Sequence, residues 1–342
     1  MEYVGIPGID TQASRIGLGT WAMGGVGWTG SDDSNSVRTI HAALDQGINV
    51  IDTAPAYGYG HSEEIVGTAL AKSNRRGEAI IATKVGLSWQ NGMIYRDARR
   101  QRIVDEVEAS LKRLKTDYID LYQVHWPDSL TPIGETAEAM VRLQRQGKIR
   151  AIGVSNFSIN QMKTFREVAP LTTAQPPYNL FEREAELDLL PWCLRNDVAT
   201  LTYGALCRGL LTGAIDERTP LANDDLRNGD PKFGKPRLQQ YVAAEQALDQ
   251  LAQERWGKGV LPLAIRWVLD QPGVSIALWG AKQPGELDPV DGVSGWRVDD
   301  EAARTIEGIL RQKILDPVGP EFMAPPTRPD VSARSPQPSP RQ

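Results

Sequence analysis

Eight short apolar runs in this chain each stop at a polar or glycine-bearing group: Thr20, Asp52, Lys84, His125, Ser155-Asn156, Gln175, Tyr203 and Gly280-Ala281-Lys282. Most steps between these stops are roughly 20 to 40 residues, one strand plus one crossover helix, so eight βα units fit and close on themselves as a (β/α)8 barrel. Helical faces fill the intervals. Val37, Ile40 and Leu44 share one, stopped by Gly47 before the run Ile48-Asn49-Val50-Ile51, and Ile103, Val107, Leu111 and Leu114 form another before Tyr118-Ile119-Asp120-Leu121-Tyr122-Gln123-Val124. Thr131 reads as an N-cap with Pro132 at the first helical position, and Ser158 with Gln161 has capping-box spacing. The expected fold class is α/β, a TIM barrel, with functional groups on the face where such barrels carry their chemistry.

The step from Tyr203 to Gly280 is too long for one unit. Its excess reads as a Gly/Pro/Asp-rich lid loop over residues 212–236 on the catalytic face, followed by an extra helix over 238–256. Past Asp316, prolines at 317, 320, 325, 326, 329, 336, 338 and 340 exclude helix or sheet interior. The expected organisation is one barrel domain over 1–315 and a Pro-rich segment over 316–342. Phe322 and Met323 would anchor the first part of that segment, and 332–342 would be disordered.

Composition removes several function classes. With 41% apolar and 24% charged residues the chain can bury a sizeable core. Thirty-eight basic against 43 acidic residues give a formal charge of -5, and no basic block stands out, so neither a nucleic acid nor an anionic membrane is an expected partner. No run approaches the roughly 18 apolar residues of a membrane span, and the opening residues lack the pattern of a signal peptide, which makes the cytoplasm the expected address. Two cysteines, Cys193 and Cys207, and three histidines supply neither a disulfide framework nor a structural zinc set.

The sharpest constellation is Asp52 and Tyr57 in Asp52-Thr53-Ala54-Pro55-Ala56-Tyr57-Gly58, Lys84, and His125, on three successive strand ends. Singly, each has a bland reading as cap, surface charge, packed aromatic or core histidine. Jointly, they make an acid/base relay. A tyrosine with a pKa of about 10 donates poorly at neutral pH. The expectation is that a neighbouring ammonium lowers it, that a carboxylate behind the lysine holds the ammonium charged, and that a neutral histidine positions the substrate oxygen.

Gly58-Tyr59-Gly60 and Gly17-Leu18-Gly19 both lack the third glycine of a dinucleotide fingerprint, so a Rossmann site is not expected. Cofactor groups must come from later strand ends. Ser155, Asn156 and Gln175 offer amide-type donors and acceptors and Tyr203 a ring for stacking, while Gly204-Ala205-Leu206-Cys207-Arg208 presents small residues where backbone N–H groups can approach a diphosphate. Trp21, Tyr57, Trp126 and Trp279, at or beside strand ends, are the expected walls of a substrate pocket.

Asp52-Thr53-Ala54-x-x-Tyr57-Gly58, Lys84, His125, Gly153-Val154-Ser155-Asn156-Phe157 and Gly209-Leu210-Leu211-Thr212-Gly213 together resemble the aldo-keto reductase superfamily over residues 1 to about 325. Gln175-Pro176-Pro177-Tyr178-Asn179-Leu180, Tyr203-Gly204-Ala205-Leu206-Cys207-Arg208 and Leu278-Trp279-Gly280-Ala281-Lys282 are similar to a bacterial branch that includes NADP-dependent glycerol dehydrogenase/glyceraldehyde reductases. The resemblance implies an N-terminal β-hairpin across the barrel bottom, extended NADP(H) on the top face, and reversible hydride transfer with short aldehydes, ketoses or polyols. It implies Tyr57 as proton donor, tuned by Lys84 and Asp52, with His125 orienting the substrate. It also implies Ser155, Asn156 and Gln175 on the carboxamide, Tyr203 on the ring, the 204–208 turn on the pyrophosphate, and Arg227 on the lid. Thr20, Trp21, Gly280, Ala281, Lys282 and Glu286 would complete the cofactor site. Two positions depart from the family pattern: Ala214 stands where relatives often have Lys, and Glu286 where many have Arg or Gln. The same resemblance extends to potassium channel β subunits, which leaves a non-catalytic, redox-sensing or binding module as the alternative.

Overall fold

In the computed structural model, which describes residues 1–28 and 30–328, a hairpin of β1 (Tyr3–Ile6) and β2 (Ile9–Ser14) precedes the barrel. The remaining strands are β3 (Ile16–Gly19), β4 (Val50–Asp52), β5 (Ile80–Val85), β6 (Leu87–Gln90), β7 (Met93–Arg96), β8 (Ile119–Val124), β9 (Ile149–Ser155), β10 (Thr173–Gln175), β11 (Ala199–Thr202) and β12 (Ile276–Gly280). Eight of them close a parallel barrel in the order β3-β4-β5-β8-β9-β10-β11-β12, with β12 returning to β3. The helices are α1 (Asp33–Asp45), α2 (His61–Ser73), α3 (Arg100–Leu114), α4 (Ile133–Arg145), α5 (Ile159–Arg166), α6 (Leu189–Arg195), α7 (Arg237–Trp256), α8 (Val260–Asp270) and α9 (Asp300–Lys313). This is the expected (β/α)8 fold, each strand ending where the sequence placed its polar stop. No helix of the described residues is long and apolar enough to cross a membrane.

Alternation along the strands sorts the side chains into two layers. Val50, Ile80, Ala82, Leu121, Ala151, Leu201, Ile276 and Leu278 fill the barrel interior together with Ile6, Ile9 and Ala13 of the hairpin. The hairpin therefore plugs the bottom, and burying Ile6 and Ile9 there is worth about 1.5 to 3 kcal/mol each. The outward set, with Leu18, Ile51, Ile81, Tyr122, Ile152 and Trp279, packs under the helices in the larger core.

Local signals account for most boundaries. Ser158 and Gln161 form the expected capping box at 3.3 and 2.9 Å. Thr131 differs: its hydroxyl donates to Asp128 at 2.6 Å, and α4 begins at Ile133 after Pro132 without a side-chain cap. The β6–β7 hairpin is an addition to the expected pattern, turning at Asn91 and Gly92, both at positive φ.

The lid contains short 3-10 turns at Leu226–Gly229 and Pro231–Phe233 and leads into α7. Residues 314–328 do not leave the barrel. Gly319 O accepts from Lys232 Nζ at 2.9 Å, Arg96 donates to Pro325 O at 2.8 Å and to Pro326 O at 2.9 Å, and Arg328 donates to Asp128 at 2.6 Å. The segment thus forms a strap across the catalytic mouth, from the lid to the β7 hairpin. The expected disorder of 332–342 concerns residues outside those described.

Candidate active site

Three elements bring the relay together. Asp52 closes β4 and Lys84 lies near the end of β5, both inward-facing and only 3% and 1% exposed. Lys84 Nζ donates to Asp52 Oδ2 at 2.6 Å, to Thr53 O at 3.0 Å and to Tyr57 Oη at 3.2 Å. Tyr57 reaches that point because the loops after β3 and β4 interlock. Gly58 has φ +63°, and a Cβ there would overlap the Gly24 carbonyl, so only glycine permits this approach. Behind it, Ser62 Oγ bonds Thr20 Oγ1 at 2.8 Å and Thr53 Oγ1 at 3.0 Å, and Thr20 donates to Asp52 O at 2.9 Å.

The Tyr57 ring stacks on Trp21 (centroids 5.9 Å, 24° between planes) and meets His125 edge-on at 5.9 Å. Burial, seconded by the charge of Lys84, holds the His125 imidazole well below its usual pKa and therefore neutral, as a hydrogen-bonding group for a substrate oxygen requires. Tyr57 departs from expectation. Burial raises its pKa well above 10, and the negative charge of the Asp52 carboxylate adds to the rise. Lys84 itself is lowered, by burial first. Tyr57 is thus kept protonated as a weaker acid than a free tyrosine, and the lowering expected from Lys84 is not found.

The neighbouring strand ends form a second hydrogen-bonded ring. Asn156, at φ +62°, donates to His125 O at 2.9 Å and to Ser155 Oγ at 3.0 Å, and accepts from Tyr203 Oη at 2.9 Å; Ser155 donates to Gln175 O at 2.8 Å. Gln175 Nε2 donates to Asp52 Oδ1 at 2.8 Å. Its amide N–H is therefore engaged by the relay, which the carboxamide role expected for it did not include. A cavity of about 880 Å³ opens beside Trp126, Asn156, Phe157 and Tyr203, roofed by the strap at Val318 and Pro320.

Next to Tyr203, the 204–209 turn closes on itself through the N–H groups of Cys207, Gly209 and Leu210. The Ala205 and Leu206 N–H groups have no hydrogen-bond partner among the described residues. Leu226 N donates to Gly27 O at 3.0 Å, so the lid is latched onto the loop after β3. Arg227 forks onto Asp225 at 2.8 and 2.7 Å and lies over Trp28, its Nη1 3.8 Å from where a Cβ at Gly209 would stand. Gly280 is exposed, Ala281 buried, and Lys282 is close enough to help depress the Asp225 carboxyl, behind Arg227 and against burial.

One expectation changes, and three expected cofactor residues engage protein groups of their own. Trp279 is 1% exposed and belongs to the layer between barrel and helices, because Leu278 and Gly280 are the inward positions of β12; it walls no pocket. Thr20 is fully buried with its hydroxyl spent on Asp52 and Ser62, so its side chain supports the relay from behind. Glu286 accepts from Lys282 N at 2.8 Å and Gln283 Nε2 at 3.1 Å, closing its own loop. The Arg208 side chain turns inward to Glu182 and Asp230. Sequence reading also passed over Trp28, whose ring meets Trp21 edge-on at 5.6 Å.

A (β/α)8 barrel carrying an Asp–Lys–Tyr–His cluster at its C-terminal face is built to move a proton to and from an oxygen. The chain belongs to the aldo/keto reductase family, whose family model matches residues 15–311, and like its relatives it is an oxidoreductase. It is 60% identical to the aldo-keto reductase YhdN of Bacillus subtilis (strain 168), covering 97% of this chain and 100% of that one. It is 35% identical to the NADH-specific methylglyoxal reductase of Escherichia coli (strain K12), covering 84% and 91%. The solved glycerol dehydrogenase AKR11B4 from Gluconobacter oxydans is 54% identical, with a TM-score of 0.85 over 94% of this chain and 99% of that one.

Proposed function

We propose that this protein is an NADP(H)-dependent, cytoplasmic reductase of short aldehydes and ketoses that also oxidises the corresponding polyols, of the glyceraldehyde/glycerol type. The observation that carries the reading is Lys84 Nζ bridging Asp52 and Tyr57 at 2.6 and 3.2 Å beside a neutral His125. When bound, the nicotinamide supplies or accepts the hydride. Tyr57 holds the proton that the substrate oxygen needs, and Lys84 orients Tyr57 while Asp52 balances its charge. His125 places that oxygen within reach of Tyr57, and Trp21 and Trp126 are the aromatic walls that limit water.

We assign the crevice between Tyr203, the 204–209 turn and the lid to a dinucleotide. Tyr203 offers a ring face, the unpartnered Ala205 and Leu206 amides offer donors for a diphosphate, and Lys282 with Arg227 supplies positive charge for a 2′-phosphate. Similarity to a glycerol dehydrogenase structure supports the polyol end of the substrate range. The test is steady-state turnover of glyceraldehyde, methylglyoxal and glycerol with NADPH/NADP and with NADH/NAD. Higher kcat/KM with the phosphorylated cofactor, and its loss in Lys282→Ala, is the expected result. Binding of cofactor without turnover across a broad aldehyde panel would overturn the enzymatic reading.

A further inference from the structure

Beneath the crevice four charged side chains are buried together. Arg208, Glu182, Asp230 and Lys232 expose 3%, 2%, 0% and 0% of their side chains. Arg208 Nη2 donates to Glu182 and its Nε to Asp230 Oδ2 at 2.6 Å; Lys232 Nζ lies 2.7 Å from Glu182 Oε1 and 3.7 Å from Asp230 Oδ1. Two cations face two anions, so the group is neutral as a whole. Burial works to raise the Glu182 carboxyl, but Arg208 and Lys232 outweigh it and hold Glu182 below its usual range, so this carboxylate stays charged.

The four residues come from segments that meet nowhere else in sequence. Glu182 is fixed by Asn179, whose Nδ2 donates to Glu182 Oε2 at 2.7 Å and to Gly204 O at 3.0 Å. Arg208 belongs to the turn, Asp230 and Lys232 to the lid, and the strap adds Gly319 O on Lys232 and the Phe322 ring 5.3 Å from the Arg208 guanidinium. Paired buried charges are a poor source of stability compared with apolar packing, so their presence asks for another purpose. The backbone supplies one. Cys207 and Arg208 have φ +45° and +55°, a left-handed conformation that non-glycine residues resist. Glu182 and Asp230 draw Arg208 inward in that shape, the same shape in which the Ala205 and Leu206 amides have no partner among the described residues.

We propose that the Glu182–Arg208–Asp230–Lys232 quartet is a positioning device for the dinucleotide diphosphate. Through Arg208 it sets the 204–209 turn, and through Asp230 and Lys232 it pins residues 230–232 of the lid to the same point. Arg208 then acts through its own backbone and not as a phosphate ligand. The inference rests on the reading of the crevice as a dinucleotide site.

The test titrates wild type, Asp230→Asn, Arg208→Lys and the charge-balanced Asp230→Asn/Lys232→Met double variant with NADPH and with adenosine 2′-monophosphate, which lacks the diphosphate. The double variant guards against a fold lost to an unpaired buried charge. Expected is a Kd for NADPH raised about tenfold or more in Asp230→Asn and in the double variant, with the monophosphate changed by less than about twofold and kcat at saturating NADPH nearly kept. Arg208→Lys, which keeps the charge but not the fork, should fall between. Equal weakening of both ligands, or no change in either, overturns the proposal. A wild type that binds neither refutes the dinucleotide reading itself, whereas wild-type binding with unaltered variants refutes the quartet alone.

Discussion

Gln175 Nε2 and Lys84 Nζ grip opposite oxygens of Asp52, at 2.8 and 2.6 Å. The carboxylate is thereby fixed from β10 across the barrel as well as from β5, and Lys84 is fixed with it. A relay of four residues becomes one of five. Gln175→Leu should therefore lower kcat about tenfold or more, as expected for losing a hydrogen bond to a buried charge worth about 1.5 to 3 kcal/mol. A residue serving only the carboxamide would instead raise the KM for NADPH at constant kcat, so the split between the two constants decides.

Tyr57→Phe keeps the stacking surface against Trp21 and removes only the hydroxyl 3.2 Å from Lys84. We expect kcat to fall about 100- to 10,000-fold with unchanged circular dichroism and a Kd for NADPH close to that of the wild type. A near-wild-type kcat would remove Tyr57 from the relay.

His125 gives a pH signature. Its folded pKa is lowered by burial, with Lys84 second, while the unfolded chain takes up a proton near about 6.5. Above that pH both states are neutral and the full stability is present; as pH falls toward the lowered folded value, the unfolded state gains protons first and stability is lost. His125→Gln should show a flatter decline of Tm between about pH 6.5 and 5 than the wild type, read by thermal unfolding. Parallel curves would mean that the imidazole is not held neutral.

Two of the tryptophans next to strand ends should separate cleanly. Trp279 fills the outer core, so Trp279→Ala is expected to cost about 3 to 5 kcal/mol of stability. Trp126 stands in the cavity wall with Arg96 5.0 Å over its ring, so Trp126→Ala should change substrate KM while costing no more than about 1 kcal/mol. Chemical denaturation and steady-state kinetics on both variants check this.

How much of this was legible follows from what kind of signal each feature leaves. The eight polar or glycine-bearing stops, Asp52, Lys84, His125 and Gln175 among them, announced both the eight strands and their functional ends, because such a group recurring once per unit carries that information. Trp279 was misplaced although the signal was present: period-two alternation with Leu278 inward puts Trp279 outward. Asn91-Gly92 likewise was a hairpin signature lying in plain view. The quartet left no such trace. Glu182, Arg208, Asp230 and Lys232 are ordinary surface residue types, and only the closing of the lid over the turn makes them neighbours in the interior. The raised pKa of Tyr57 was equally hidden, since desolvation depends on what surrounds the ring and not on which residues neighbour it in sequence.

The hairpin plug has a consequence for the supply of protons. Below Lys84 the interior holds Ala82, Leu121, Ala151 and Leu278, sealed by Ile6 and Ile9, and the buried polar groups there, Gln123 and Thr173, do not ionise. Among the described residues, no chain of titratable groups leads from the barrel floor to Tyr57. On the proposed function, the proton that replaces the one Tyr57 gives away is supplied from the mouth, the opening under the strap. Product departure and recharging of the tyrosine are therefore successive uses of one passage, and anything that slows the first delays the second.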